Sequence, residues 1–186
     1  MNTLAPFGLR PAYHPTGIVR GIAYSIAAAY NTAIYQNSPV IMNTNGTLTI
    51  GTAAADLWGV FQGVQWTDAQ QKPQYSNFWP GAQTGATEII AYALTDALQV
   101  YEIQADGAVA ATAIGDQADL SNPGTGSTVT GISTATISAT LAGAGNQGQL
   151  RILGLAPYPD NSWADTYPVL QVQIARMQTV SNKVAV

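Results

Sequence analysis

Cysteine is absent from the 186 residues, which excludes disulfides and thiolate metal sites as props for the fold and leaves the redox compartment open. Histidine occurs once, at His14, so a Ser-His-Asp or Cys-His arrangement would have to draw its base from a proline-rich N-terminus, and zinc has no ligand set. Charge is scarce too. Charged residues make up 9% of the chain and hydrophobic ones 47%, whereas typical soluble domains carry about 25% charged residues. A surface this poor in charge relies on Gln, Asn, Ser, Thr and Gly for solubility, or is covered by partners. With a net charge of −4 and a pI near 4.5, the attraction that dominates nucleic-acid affinity is missing, and nucleic acid is excluded as a partner. No apolar run approaches a membrane span, and Met1 to Tyr13 has no apolar core of signal-peptide length, so neither a membrane anchor nor an export signal is expected.

What is present is β-type patterning around one central stretch, Leu57-Trp58-Gly59-Val60-Phe61-Gln62-Gly63-Val64-Gln65-Trp66. Read as a regular strand, it turns Trp58, Val60, Val64 and Trp66 to one side and Leu57 and Phe61 to the other, with Gly59 and Gly63 flanking Phe61. Both faces are largely apolar, which places the strand in the middle of a packed β structure. Asn45-Gly46 between Val40-Ile41-Met42 and Thr47-Leu48-Thr49-Ile50 predicts a hairpin whose two turn residues take positive φ. A second hairpin is expected from residues 87–94 and 98–104 turning at Thr95-Asp96-Ala97, and further strands over residues 73–79, 149–155 and 169–174.

Residues 21–35 fit both helical and strand periodicity and are read as strands. Ala113 to Leu120 is read as a loop or short turn, and the Ser/Thr/Gly-rich residues 121–148 as exposed strands or a long mobile loop. Residues 143–148 hold glycines without a phosphate-binding pattern and read as a turn. About nine strands separated by Gly, Pro and Asn turns indicate one all-β domain, a largely antiparallel β-sandwich or barrel over residues 17–176. An extended N-terminal arm precedes it (1–16), built on Pro6, Pro11 and Pro15, and a loose C-terminal tail follows (177–186).

Candidate chemistry is thin. If residues 87–94 and 98–104 form a hairpin, Glu88 and Glu102 lie diagonally on one face at a separation suited to glycoside hydrolysis; otherwise they are two strand carboxylates facing solvent. Asp116 with Asp119, or Asp160 with Asp165, lack the spacing of a calcium loop and read as turn caps. Trp58, Trp66, Trp79 and Trp163 could form a sugar-stacking platform, the generic binding alternative, against a reading as core residues. No cofactor motif occurs.

Several short segments do form a pattern. Phe7-Gly8-Leu9-Arg10-Pro11 with Tyr13-His14-Pro15, Gly59-Val60-Phe61-Gln62-Gly63-Val64, Ser76-Asn77-Phe78-Trp79-Pro80, Tyr101-Glu102-Ile103-Gln104-Ala105-Asp106-Gly107 and Gly115-Asp116-Gln117-Ala118-Asp119-Leu120 resemble a group of tailed-bacteriophage head proteins, the capsid cement or decoration (head stabilisation) proteins. The resemblance implies a non-enzymatic structural protein of the virion that sits on the outer capsid surface, after assembly in the host cytoplasm. It also implies partners: the major capsid protein, whose neighbouring subunits it braces, and copies of itself, commonly as a homotrimer. On that reading Arg10 makes a charge-assisted hydrogen bond to a partner and Phe7, Leu9 and Tyr13 anchor the arm. Packing of the arm on its own domain is the alternative, and a carbohydrate-binding module using exposed tryptophans is the rival function.

Overall fold

A computed structural model describes residues 3–163 and 165–180. Along them run strands β1 (Arg10–Tyr13), β2 (Ile22–Tyr24), β3 (Pro39–Met42), β4 (Leu48–Ile50), β5 (Gly59–Thr67), β6 (Pro73–Ser76), β7 (Thr87–Leu94), β8 (Val100–Gln104), β9 (Gln117–Ser121), β10 (Thr136–Leu141), β11 (Leu150–Leu155) and β12 (Val169–Ile174). The only helix among the described residues is a single 3-10 turn, Ala111–Ala113. The chain is all-β, and of the two expected forms it takes the sandwich. One antiparallel sheet has the order β1-β8-β12-β11-β9-β10; the other has β2-β7-β5-β3-β4, with β6 paired to the far half of β5.

The central strand has two apolar faces because each meets a different core. Leu57, Val60 and Leu94 pack with Tyr101, Ile103, Ile152, Leu170 and Val172 between the two sheets. Phe61, Val64 and Trp66 face the other way, against Leu48 of β4 and against Ile26, Ile34 and Trp79, which the loops around residues 26–34 and 79 fold over the back of the second sheet. The strand is not regular, however. Its register against β7 shifts between Phe61 and Gly63, a β-bulge that adds one residue and reverses the alternation beyond it. Phe61 therefore shares a side with Val64 and Trp66 while Val60 lies on the other, opposite to the regular-strand expectation. Gln62, the extra residue, donates its amide to Asn37 Oδ1 at 3.3 Å.

The Asn45-Gly46 hairpin forms, pairing Val40 with Ile50 and Met42 with Leu48. Its turn differs in type: Gly46 alone has positive φ (74°), Asn43 Oδ1 accepts the N–H groups of Asn45 and Thr47, and the three-residue connection ends in a glycine bulge. Residues 87–94 and 98–104 do not form a hairpin. The chain between them crosses from one sheet to the other, so β7 pairs with β2 and β5 while β8 pairs with β1 and β12. Within the stretch read as a loop, Gln117–Ser121 is strand β9; its apolar positions Ala118 and Leu120 are buried, too few for alternation to register in the sequence. In residues 121–148 strand β10 pairs with β9, and of residues 21–35 only Ile22–Tyr24 is a strand.

Both ends are fastened to the body. β1 is the edge strand of the first sheet, where Pro11 interrupts no ladder that must continue. Leu9 is fully buried in the inter-sheet core, Gly8 takes φ 72° where a Cβ would meet Asn37 O at 2.5 Å, and Gln104 holds Thr3 O and Ala5 N–H with one side-chain amide. At the other end Leu57 donates to Arg176 O and accepts from Gln178 N–H, and the Gln178 side chain bonds both backbone groups of Met42. Residues 177–180 of the expected tail are thus clipped to the sandwich; 181–186 lie outside the described residues.

Candidate functional site

The four arm residues divide three to one. Arg10 Nη2 donates to Glu102 Oε2 at 2.8 Å and to the Tyr158 hydroxyl at 2.6 Å, and Tyr158 in turn donates to Glu102 Oε2. The guanidinium carbon stands 4.3 Å over the centre of the Phe7 ring, so the cation is held by a carboxylate, a phenol and an aromatic face together. Burial, and after it the bond to Glu102, pushes the Tyr158 phenol above its ordinary range. With Leu9 in the core, the arm's cation and two of its apolar residues are engaged within the chain. Tyr13 remains 48% exposed.

Glu88 and Glu102 are not brought together. Glu88 is on β7 at the exposed end of the second sheet, accepting from Thr67 Oγ1 at 2.8 Å, and Glu102 belongs to the arm clasp on the first sheet. No group of three or more His, Cys, Asp or Glu side chains converges among the described residues; Asp165 accepts the Ser162 N–H within its own turn, whereas Asp119 accepts the N–H of Gln149, 30 residues away, and is no turn cap. The tryptophans pack against the two cores. Trp66 and Trp79 stand edge to face in the second core, with centroids 5.7 Å apart, and Trp58 and Trp163 are half-buried against the two cores.

His14 is buried between two turns. Its Nδ1 accepts the Thr16 N–H, and Nε2 lies 3.2 Å from Asp96 Oδ1. The backbone N–H of Leu98, and with it His14, holds the Asp96 carboxyl below the usual carboxylate range against a smaller opposing push from burial. A carboxyl depressed on folding stabilises the chain above its unfolded value and loses that contribution as pH falls through the folded one. Asp96→Asn, which keeps an acceptor for Leu98, is therefore expected to lose its urea midpoint less steeply than the parent between about pH 4 and pH 2. Parallel curves would show that Asp96 carries none of the acid sensitivity.

Beyond the bulge the face of the second sheet that is buried at Val60 is open: Gly63 and Gln65 are half-buried and Tyr75 and Tyr92 exposed. A hollow of about 510 Å³ is lined there by Gly63, Gln65, Tyr75, Asn77 and Tyr92, without a charged side chain. Tyr75 is 75% and Tyr92 37% exposed. Three strands present these groups on one face in successive rows, since Gln65 pairs with Tyr75 on β6 and Gly63, two residues before it, with Tyr92 on β7. Beside this face the loop 15–21 leaves Ile18 and Val19 exposed, and a turn carries Val129 at its exposed tip.

No family model, curated protein or solved structure matches this chain. The likeness to phage head proteins accordingly stands on the short segments that carry it. The tyrosine face itself is invisible in the linear sequence because the bulge at Phe61 sets which residues share it. Tyr75 alternating with Gln74 and Ser76 was the one local sign.

Proposed function

We propose that the chain is a structural protein of a phage virion that binds the outer surface of the capsid and stabilises contacts between major coat subunits. The observation that carries this reading is the open hollow on the second sheet, lined without a charged side chain, where tyrosines are displayed on paired strands. Tyrosine is enriched at protein interfaces and charge is depleted at their centres, and a sheet face held by neighbouring strands loses little entropy on docking. The short-segment resemblance supports the same conclusion. The fastened arm narrows it: the sandwich docks as a preformed body, and of the four arm residues Tyr13 is the one left to meet a neighbour. Repetition of one modest contact over many shell positions, or within a trimer, supplies the avidity.

The test is light scattering of the purified chain followed by co-sedimentation with tailed-phage shells that lack it. The expected result is an oligomer that pellets with the shells. Tyr75→Asp should cut the bound fraction about tenfold or more, the effect of losing one aromatic anchor, with an unchanged thermal midpoint. A monomer that stays in the supernatant at all shell concentrations would overturn the reading.

A further inference from the structure

Arg151 on β11 is a cation without a counter-charge in an acidic chain. Arg10 and Arg176 each have a carboxylate at 2.8 Å, but the Arg151 guanidinium has no hydrogen bond or ion pair. Its Nε is sealed from water with no acceptor, while its other nitrogens are not. An Nε sealed from water is sealed from a ligand as well, so what an acceptor entering from solvent can reach is the open Nη end of the guanidinium, which holds no partner of its own.

The surroundings indicate which one. Arg151 is paired across the sheet with Gln117 on β9 and Gln173 on β12, and all three line a cavity of about 150 Å³ whose other walls include Leu98, Met177 and Val180. Gln117 is only 4% exposed and its Oε1 is occupied by the Gly148 N–H, which leaves its NH2 as a free donor. Gln173 is oriented oppositely, its NH2 donating to Leu98 O, which leaves its carbonyl oxygen as a free acceptor. A cavity of this size admits a benzene-sized group.

We infer that this pocket binds a carboxylate on a short apolar stem. The anion meets the Arg151 fork and the Gln117 amide, the stem meets the apolar wall, and an N–H on that stem, as a peptide carries, meets Gln173. A planar fork with parallel N–H groups is the arrangement that recognises a carboxylate in two-point fashion. No member of the pocket belongs to the tyrosine face, so the inference does not depend on the capsid reading.

The test is titration of the full chain, followed by NMR at the arginine Nε–H signals and backbone amides, with butyrate, its neutral isostere butyramide, and the side-chain mimic N-acetylglutamate N-methylamide. Butyrate is expected to saturate at a concentration about tenfold or more below butyramide, the margin of a charge-assisted hydrogen bond, and to shift residues around 117, 151 and 173. Tighter binding of the glutamate mimic supports a polypeptide source, and tighter binding of butyrate a free acid; either supports a carboxylate pocket. Arg151→Lys keeps the charge without the fork and should lose most of that margin, as should Arg151→Gln. Equal titration by butyrate and butyramide, or no shift at these residues in the parent chain, would overturn the inference whether or not the protein binds shells.

Discussion

Replacing Gly59 by alanine is expected to destabilise the protein by about 3 kcal/mol or more, and replacing it by valine to prevent folding. Gly59 opens β5 directly beneath β7, and a Cβ there would lie 2.1 Å from the Leu94 carbonyl oxygen and 2.9 Å from its carbon. Those are backbone atoms of the adjoining ladder, held by the pairing of Val60 with Leu94 and Phe61 with Ala93, so neither strand can yield without breaking bonds on both sides. Gly154 is the internal control. A Cβ on it meets nothing within 4 Å, and Gly154→Ala should be neutral or stabilise by about 0.4–1 kcal/mol through the unfolded chain. Urea midpoints at constant m-value measure both. A folded Gly59→Ala protein with the parent midpoint would show that β5 and β7 are further apart than the geometry described above.

Trp79→Ala is expected to remove about 3–5 kcal/mol. The side chain is fully buried, stands edge to face with Trp66 and donates its indole N–H to Tyr30 O at 3.0 Å, while its backbone exchanges two hydrogen bonds with Ile34. It thereby fixes the loops that cover the back of the second sheet, and its loss opens a cavity too deep to refill. Trp79→Phe separates the parts of the effect. It keeps most of the apolar volume but leaves the Tyr30 carbonyl without its donor, and should cost about 1–3 kcal/mol. If the alanine variant unfolds no earlier than the phenylalanine one, packing at this position is not what holds the covering loops.

The local chemistry of the fold could be read from the sequence and the long-range pairing could not. The β-prone run at residues 149–155, the alternation at 169–174 and the Asn45-Gly46 turn depend on neighbours a few residues apart, and the corresponding strands form at 150–155, 169–174 and on either side of the turn. The bulge at Phe61 to Gly63 is decided by the partner strand, so a regular alternation put Phe61 on the wrong side. The parting of β7 and β8 into different sheets has the same origin: a three-residue link between two β-prone segments looks like a hairpin unless the competing pairings are known. Arg10 was legible as a residue in need of a partner, but Glu102 lies 92 positions away. Arg151 stood out in no pattern; what distinguishes it, an unpartnered guanidinium with a sealed Nε at a cavity wall, exists only in three dimensions.

The strand order carries a consequence for synthesis. β8 lies between β1 and β12, whose residues are more than 150 positions apart in the chain, so a nascent chain holds β1 against an incomplete sheet until residues 169–174 have left the ribosome. Such non-local closure puts refolding in the millisecond-to-second range. Until then the edges of β8 and β11 that β12 will cover stay open, which makes the interval before β12 emerges the period of greatest aggregation risk.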